Sequence, residues 1–139
     1  MSISMESFPT TRKNSPPLRV LVIDDESLIR WSIAETLAQA GCQIAEASSA
    51  KDALQRISYG PAPDVVLLDY RLPDSNDLTL LETIRRLLPE SPVIMMTAYG
   101  TPDVLAGAME LGAYRVLTKP VDMHEVSAFV HAAYASRHQ

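Results

Sequence analysis

The chain has 139 residues, 47% hydrophobic and 21% charged, with a formal net charge of −5. That is enough for one globular domain with a proper core, and it leaves no broad basic field to hold nucleic acid by its phosphates. A single cysteine, Cys42, excludes an internal disulfide framework and a cysteine-based metal site, which suits a reducing cytoplasm, and no apolar run reaches the ~18 residues of a membrane span.

In chain order, "MSISMESFPTTRKNSPP" has no basic start leading into an apolar stretch and is no signal peptide. Pro9, Pro16 and Pro17 among Ser, Thr and Asn predict a loose tail over 1–17, followed by one domain over 18–139. The first strand is expected at Arg19–Asp24, where Val20 to Ile23 run straight into Asp24, Asp25 and Glu26. Ser27 is placed to cap a first helix with Ile29, Ile33, Leu37 and Ala40 on one stripe, closed by Gly41. A second strand follows at Gln43–Ala47, with Cys42 as a small buried residue at its start. Ser48 or Ser49 caps a helix to about Tyr59 that "GPAP" closes. "DVVLLD", Asp64–Asp69, is a third strand. A helix over Asp77–Leu88 carries an apolar stripe of Leu80, Leu81, Ile84, Leu87 and Leu88. "PVIMM", Pro92–Met96, is the fourth strand, and Thr101 with Pro102 opens a helix to Leu111. "YRVLT", Tyr114–Thr118, is the fifth strand, before a last helix from near Asp122 to Ala135.

Five strands alternating with five helices predict an α/β fold, a five-stranded parallel sheet with helices on both faces. The unbroken apolar third and fourth strands fit a sheet covered on both sides. Ligands of such folds bind at the carboxyl ends of the strands. There the fold delivers Asp24 and Asp25, Asp69, Thr97, and Thr118–Lys119–Pro120. Adjacent acids at the mouth of a core repel, and hard oxygen ligands of this kind suit Mg²⁺. With the cation, Lys119 and Thr97 opposite it, the Asp69 carboxylate is a candidate nucleophile for phosphoryl transfer, giving an aspartyl phosphate with no general base required.

"DDE" after strand one, "LLDYRLP" around Asp69, "MMTAYG" at strand four and "GAYRVLTKP" at strand five stand in that order over about Leu18 to Ala135. In this the sequence resembles the receiver domain of two-component response regulators, which share the (βα)5 flavodoxin-like fold. "LIRWSIAETLAQAG" and "DYRLPDSNDLTLL" are similar to receivers of nitrogen-regulator-type, sigma-54-activating transcription factors. The resemblance implies Asp69 as phosphoacceptor. It implies Mg²⁺ held by Asp24, Asp25, Asp69 and the main-chain carbonyl of Arg71. It also implies phosphate contacts from Thr97, Ala98 and Lys119, and a cis bond before Pro120. The expected partner is a sensor histidine kinase or phosphotransfer protein, with a phosphorylation-dependent homodimer, no direct nucleic-acid binding by this chain and no membrane association.

Two positions depart from the family pattern. Val116 stands where an aromatic residue usually reorients; Tyr114, two residues earlier and expected on the same strand face, is the candidate substitute on a switch face. Asp77 replaces a usual glycine and can cap the third helix. Arg115 makes the rim beside them more basic. Trp31 lies off its helix stripe, as a contact for a phosphotransfer partner or packed on a neighbour. Tyr99 and Arg71 overlook the site, at positions that resemble those tuning aspartyl-phosphate lifetime. His124, His131 and His138 read as a solvated helix face rather than a metal site, and Arg85–Arg86 as a charged helix face.

The resulting expectation is a phosphorylation-controlled switch that regulates transcription through an effector domain outside this chain, without turnover of an external substrate. A constitutive interaction module with a switch weakened by Val116 is one alternative. A haloacid-dehalogenase-like phosphatase is another. The phosphatase needs a second acid two residues after the nucleophile, where this chain has Arg71.

Overall fold

The computed structural model describes residues 16–137. The tail predicted over 1–17 therefore lies almost wholly outside the described residues, as does His138. The strands β1 (Arg19–Ile23), β2 (Gln43–Ala47), β3 (Val65–Asp69), β4 (Val93–Thr97) and β5 (Arg115–Thr118) alternate with α1 (Ser27–Gln39), α2 (Ala50–Tyr59), α3 (Thr79–Leu87), α4 (Pro102–Glu110) and α5 (Met123–Ser136). All strand pairs are parallel, in the order β2-β1-β3-β4-β5. The chain therefore reverses its winding direction between β1 and β3, which makes their carboxyl ends the topological switch point. None of the helices described is long and apolar enough to cross a membrane.

Strand periodicity divides the core into two layers. Val20 and Val22, Val65 and Leu67, and Ile94 and Met96 point to Ile33 and Leu37 of α1 and to Val126, Val130 and Ala133 of α5. Leu21 and Ile23, Val66 and Leu68, and Val93 and Met95 point to Ala53 of α2, Leu80, Leu81 and Ile84 of α3, and Ala108 of α4. Every residue of β3 and β4 is buried, so both strands read as unbroken apolar runs apart from the terminal Asp69 and Thr97.

The helix ends follow local chemistry with some corrections. Ser49 and Thr101 accept from the N–H groups of Asp52 and Val104, and Asp122 from that of His124. Gly41 and Gly112 take positive φ past the ends of α1 and α4. Ser27 is not a cap but the first residue of α1; Glu26 occupies the cap position with no side-chain bond, because its carboxylate is engaged elsewhere. Ala40 is exposed beyond the end of α1. Asp77 accepts from Thr79 N–H two residues on, so α3 begins later than expected, at Thr79. Leu87, the last residue of α3, drops off its apolar stripe and is 49% exposed. Arg85 is more than a charged face: its guanidinium donates to the carbonyls of Leu88, Pro89 and Ser91 beyond the helix end.

Asp74, in the loop after β3, caps a different helix. Its two carboxylate oxygens accept from the N–H groups of Ala50 and Lys51 at 2.8 and 3.0 Å, and these bonds hold its carboxyl below the ordinary value. The same loop that starts at Asp69 is thus tied to the start of α2. Asp74→Ala is expected to cost about 1 kcal/mol, the usual weight of a lost cap, read as a lower midpoint in urea unfolding with an unchanged slope.

Candidate functional site

The register of the sheet assembles the site. Ile23 pairs with Leu68, so the next residues outward, Asp24 and Asp69, lie side by side at the switch point. Thr97 ends β4 and pairs with Thr118, one residue before Lys119. The Lys119 N–H donates to the Thr97 carbonyl at 2.8 Å, and the Lys119–Pro120 bond is cis.

Asp24 is fully buried. Its Oδ1 accepts from the Glu26 N–H at 2.9 Å, its Oδ2 from Lys119 Nζ at 3.0 Å, and its main-chain carbonyl from Arg30, which also pairs with Glu46. Asp69 is 5% exposed; its Oδ1 accepts from the Arg71 N–H and its Oδ2 lies 3.2 Å from Lys119 Nζ. Glu26 adds a third carboxylate, Oε1 at 3.0 Å from the same ammonium. Its place as an acid beside two others was visible in the sequence; its partner 93 residues away was not. Asp25 is exposed at the rim.

Three carboxylates therefore share one ammonium, with the fourth, Asp25, at the rim, and the electrostatics register the imbalance. Burial first, and then the charge of Asp24, push the Asp69 carboxyl up to about 6 against the pull of Lys119 and of the Arg71 N–H. Burial alone would lower the Lys119 ammonium, but hydrogen bonds to Glu26 and Asp24 and the charges of Asp24 and Asp69 reverse it, so Lys119 is held above its ordinary value. Carboxylate oxygens of Asp24, Asp25 and Asp69 lie within 4.8 Å of one another, and among the described residues no other group of three or more metal-ligating side chains is so gathered. A hard, all-oxygen set in an electron-rich pocket fits a small divalent cation.

The mouth is a cleft of about 420 Å³, lined by Asp25, Glu26, Asp69, Arg71, Thr97, Ala98, Tyr99 and Lys119 among others. Thr97 is buried, and its Oγ1 accepts from the Tyr99 N–H at 2.9 Å, which leaves the hydroxyl proton free to be donated. Arg71 stacks its guanidinium 4.6 Å from the centroid of the Tyr99 ring. Asp25, Asp69, Thr97 and Lys119 thus line one cleft, with Asp24 paired to Lys119 beneath it.

The expected substitute for the missing aromatic does not. Tyr114 precedes β5, which starts at Arg115, so the two-residue alternation does not extend back to it. Val116 packs into the α2–α3–α4 layer, whereas Tyr114 packs into the α1–α5 layer, and the two are on opposite faces. Arg115 lies over the Phe129 ring of α5. Trp31 is 58% exposed, on the same helix as Leu28 at 74%. His124 and His131 are exposed on α5, the latter bonded to the Ser127 carbonyl.

The family model of the response regulator receiver domain matches residues 20–131. The DNA-binding transcriptional regulator NtrC of Escherichia coli (strain K12) is 38% identical over 114 residues, 82% of this chain. The chain spans about a quarter of the length of that relative, 24%. A crystal structure of the receiver domain of NtrX from Brucella abortus is 33% identical, with a TM-score of 0.77 over 84% of this chain and 98% of that one. The CheY-like response regulator receiver domain protein of Methanospirillum hungatei JF-1 superposes with a TM-score of 0.83, at 25% identity over 88% of this chain and 98% of that chain.

Proposed function

The chain belongs to the response regulator receiver domain family, and from that premise we propose that it is a phosphorylation-controlled switch whose phosphoacceptor is Asp69. The observation that carries this reading is the ammonium of Lys119 within 3.2 Å of the Asp69 carboxylate, in a cleft that Thr97 also lines. A carboxyl titrating at about 6 is mostly ionised at neutral pH, so Asp69 needs no base to act as a nucleophile.

In the proposed step an Asp69 carboxylate oxygen attacks the phosphorus of a phosphohistidine. The O–P bond forms as the N–P bond breaks, the electron pair stays on the imidazole nitrogen, and that nitrogen takes up a proton from water. Lys119 and the Thr97 hydroxyl meet the charge on the phosphoryl oxygens, and Ala98 lines the cleft beside them. Asp24, Asp25, Asp69 and the Arg71 carbonyl would hold Mg²⁺, which supplies further neutralisation of that charge when bound. With Arg71 where a hydrolase needs a second acid, the site stores the phosphoryl group rather than turning over an external substrate. Leu28 and Trp31, on the first turns of α1 next to Asp25 and Glu26, offer a sensor kinase or phosphotransfer protein an apolar foothold. The output is a change in dimerisation or in an effector module of a longer cytoplasmic transcription regulator.

Intact mass of the whole chain after treatment with acetyl phosphate and Mg²⁺, run beside light scattering, tests the reading. One phosphate on the wild type, none on Asp69→Asn and none after chelation are expected. Equal uptake by Asp69→Asn, or no uptake by the wild type, would sink it.

A further inference from the structure

Val116 carries no ring, and Tyr114 packs into the α1–α5 layer, so neither residue places an aromatic ring in the layer of α4. Another aromatic is already wired into the site. Tyr99 is held twice: its N–H donates to Thr97 Oγ1 at 2.9 Å, and its ring lies under the Arg71 guanidinium at 4.6 Å. Arg71 is tied to the other strand end by its own N–H, which donates to Asp69 Oδ1. The Tyr99 carbonyl in turn accepts from the N–H of Thr101, the residue whose hydroxyl caps α4. A single run of contacts therefore leads from Asp69 through Arg71 and Tyr99 to the start of α4. That helix buries only Ala108, while Leu105 and Met109 stand exposed.

We propose that the Arg71–Tyr99 stack is a latch between the β3–α3 and β4–α4 loops, and that its release carries the state of Asp69 to α4. This rests on the reading of Asp69 as the phosphoacceptor. A phosphoryl group there adds charge and acceptor oxygens beside both ends of the latch. The Arg71 guanidinium matches phosphoryl oxygens better than an aromatic face, and it leaves the ring. When the Thr97 hydroxyl turns to donate to the same group, it gives up the Tyr99 N–H. Both holds on Tyr99 are lost together, and the loop that caps α4 is freed. Because the ring is more than half exposed, it can swing without opening the core.

Hydrogen exchange by mass spectrometry over Ala98–Leu105, on the whole chain with and without acetyl phosphate and Mg²⁺, tests the latch. Unphosphorylated Tyr99→Leu and Arg71→Met are expected to exchange about threefold faster than wild type, the weight of one exposed cation–π contact. Tyr99→Phe, which keeps the ring, is expected to behave as wild type. Phosphorylation should accelerate exchange in the wild type, and by less than half as much in Tyr99→Leu, with all values normalised to the phosphate measured on each sample. A Tyr99→Leu chain that responds as fully as the wild type, or a Tyr99→Phe chain that resembles Tyr99→Leu, overturns the latch. A wild type that takes up no phosphate overturns the phosphoacceptor reading itself, and the uptake measurement tells the two failures apart.

Discussion

Lys119→Met is expected to lose about 3–5 kcal/mol of folding stability in chelated buffer at pH 7, the usual cost of removing one partner from a buried ion pair. The side chain is 10% exposed and lies against two carboxylates that are nearly inaccessible, Asp24 and Asp69, and the more exposed Glu26. Methionine conserves the length of the stem, so little of the loss comes from packing. What remains is a set of acids with no neutralising partner, two of them in a low-dielectric surround that strengthens their repulsion. Phosphate uptake is expected to fall by about 10²–10³, as for the loss of other groups that meet transition-state charge. Because the Lys119 ammonium titrates above its ordinary value in the folded chain, its stabilisation is complete below 10.5 and is lost only as pH rises beyond that. The wild-type minus variant difference in urea unfolding should therefore carry no Lys119 titration between pH 6 and 9. Mg²⁺ should restore part of the lost stability. A variant within about 1 kcal/mol of wild type would mean that Lys119 is a surface pair of the ordinary weak kind.

What the sequence makes legible here is what local periodicity and chain order control. "VVLL" and "VIMM", short apolar runs bounded by polar and turn residues, fit strands covered on both faces, and strand order then puts Asp24, Asp69, Thr97 and Lys119 on one edge without any contact being known. The cis bond at Pro120 was accessible only through the resemblance to a family, since spacing does not specify an isomer. Contacts between distant segments were not legible. Glu26 reads as one more acid in a row, and nothing local says that it spends its carboxylate on Lys119 instead of capping α1. Asp74 sits in a polar loop, "DSND", where any of four acceptors could have served a cap. That it reaches back to α2 rather than forward to α3 is a contact across 24 residues, which no local pattern specifies.

The misplacement of Tyr114 has a similar cause with a functional consequence. Alternation along a strand is reliable only inside it, and β5 is four residues long. Counting back from Val116 past Arg115 crosses the strand boundary and inverts the face. Correcting that face removes one route from the site to α4, and it leaves Tyr99 as the aromatic in direct contact with groups that touch Asp69.

Asp69→Asn is expected to be more stable than wild type at pH 8 without divalent ions, by about 1–3 kcal/mol, since a carboxyl raised from 3.8 to about 6 is a net cost to the fold when ionised. The sign follows from linkage. The folded chain binds this proton more tightly than the unfolded one, so wild-type stability improves as pH falls from above 6 toward 3.8, and the full cost is felt above that window. Asparagine keeps the shape and cannot ionise, so its curve should lack this component, and the two proteins should converge as pH approaches 4. Mg²⁺ supplies the opposite comparison. A cation that binds the folded site stabilises it by an amount that grows with its concentration, and the third carboxylate belongs to the wild type alone. The advantage of Asp69→Asn should therefore shrink as Mg²⁺ is added at pH 8, read as midpoint shifts in urea. If the substitution destabilises at pH 8 instead, the pairing with Lys119 outweighs the burial of Asp69 and the repulsion of Asp24. The acids at the strand ends would then be at ease without a cation, and the charge argument for one would fall.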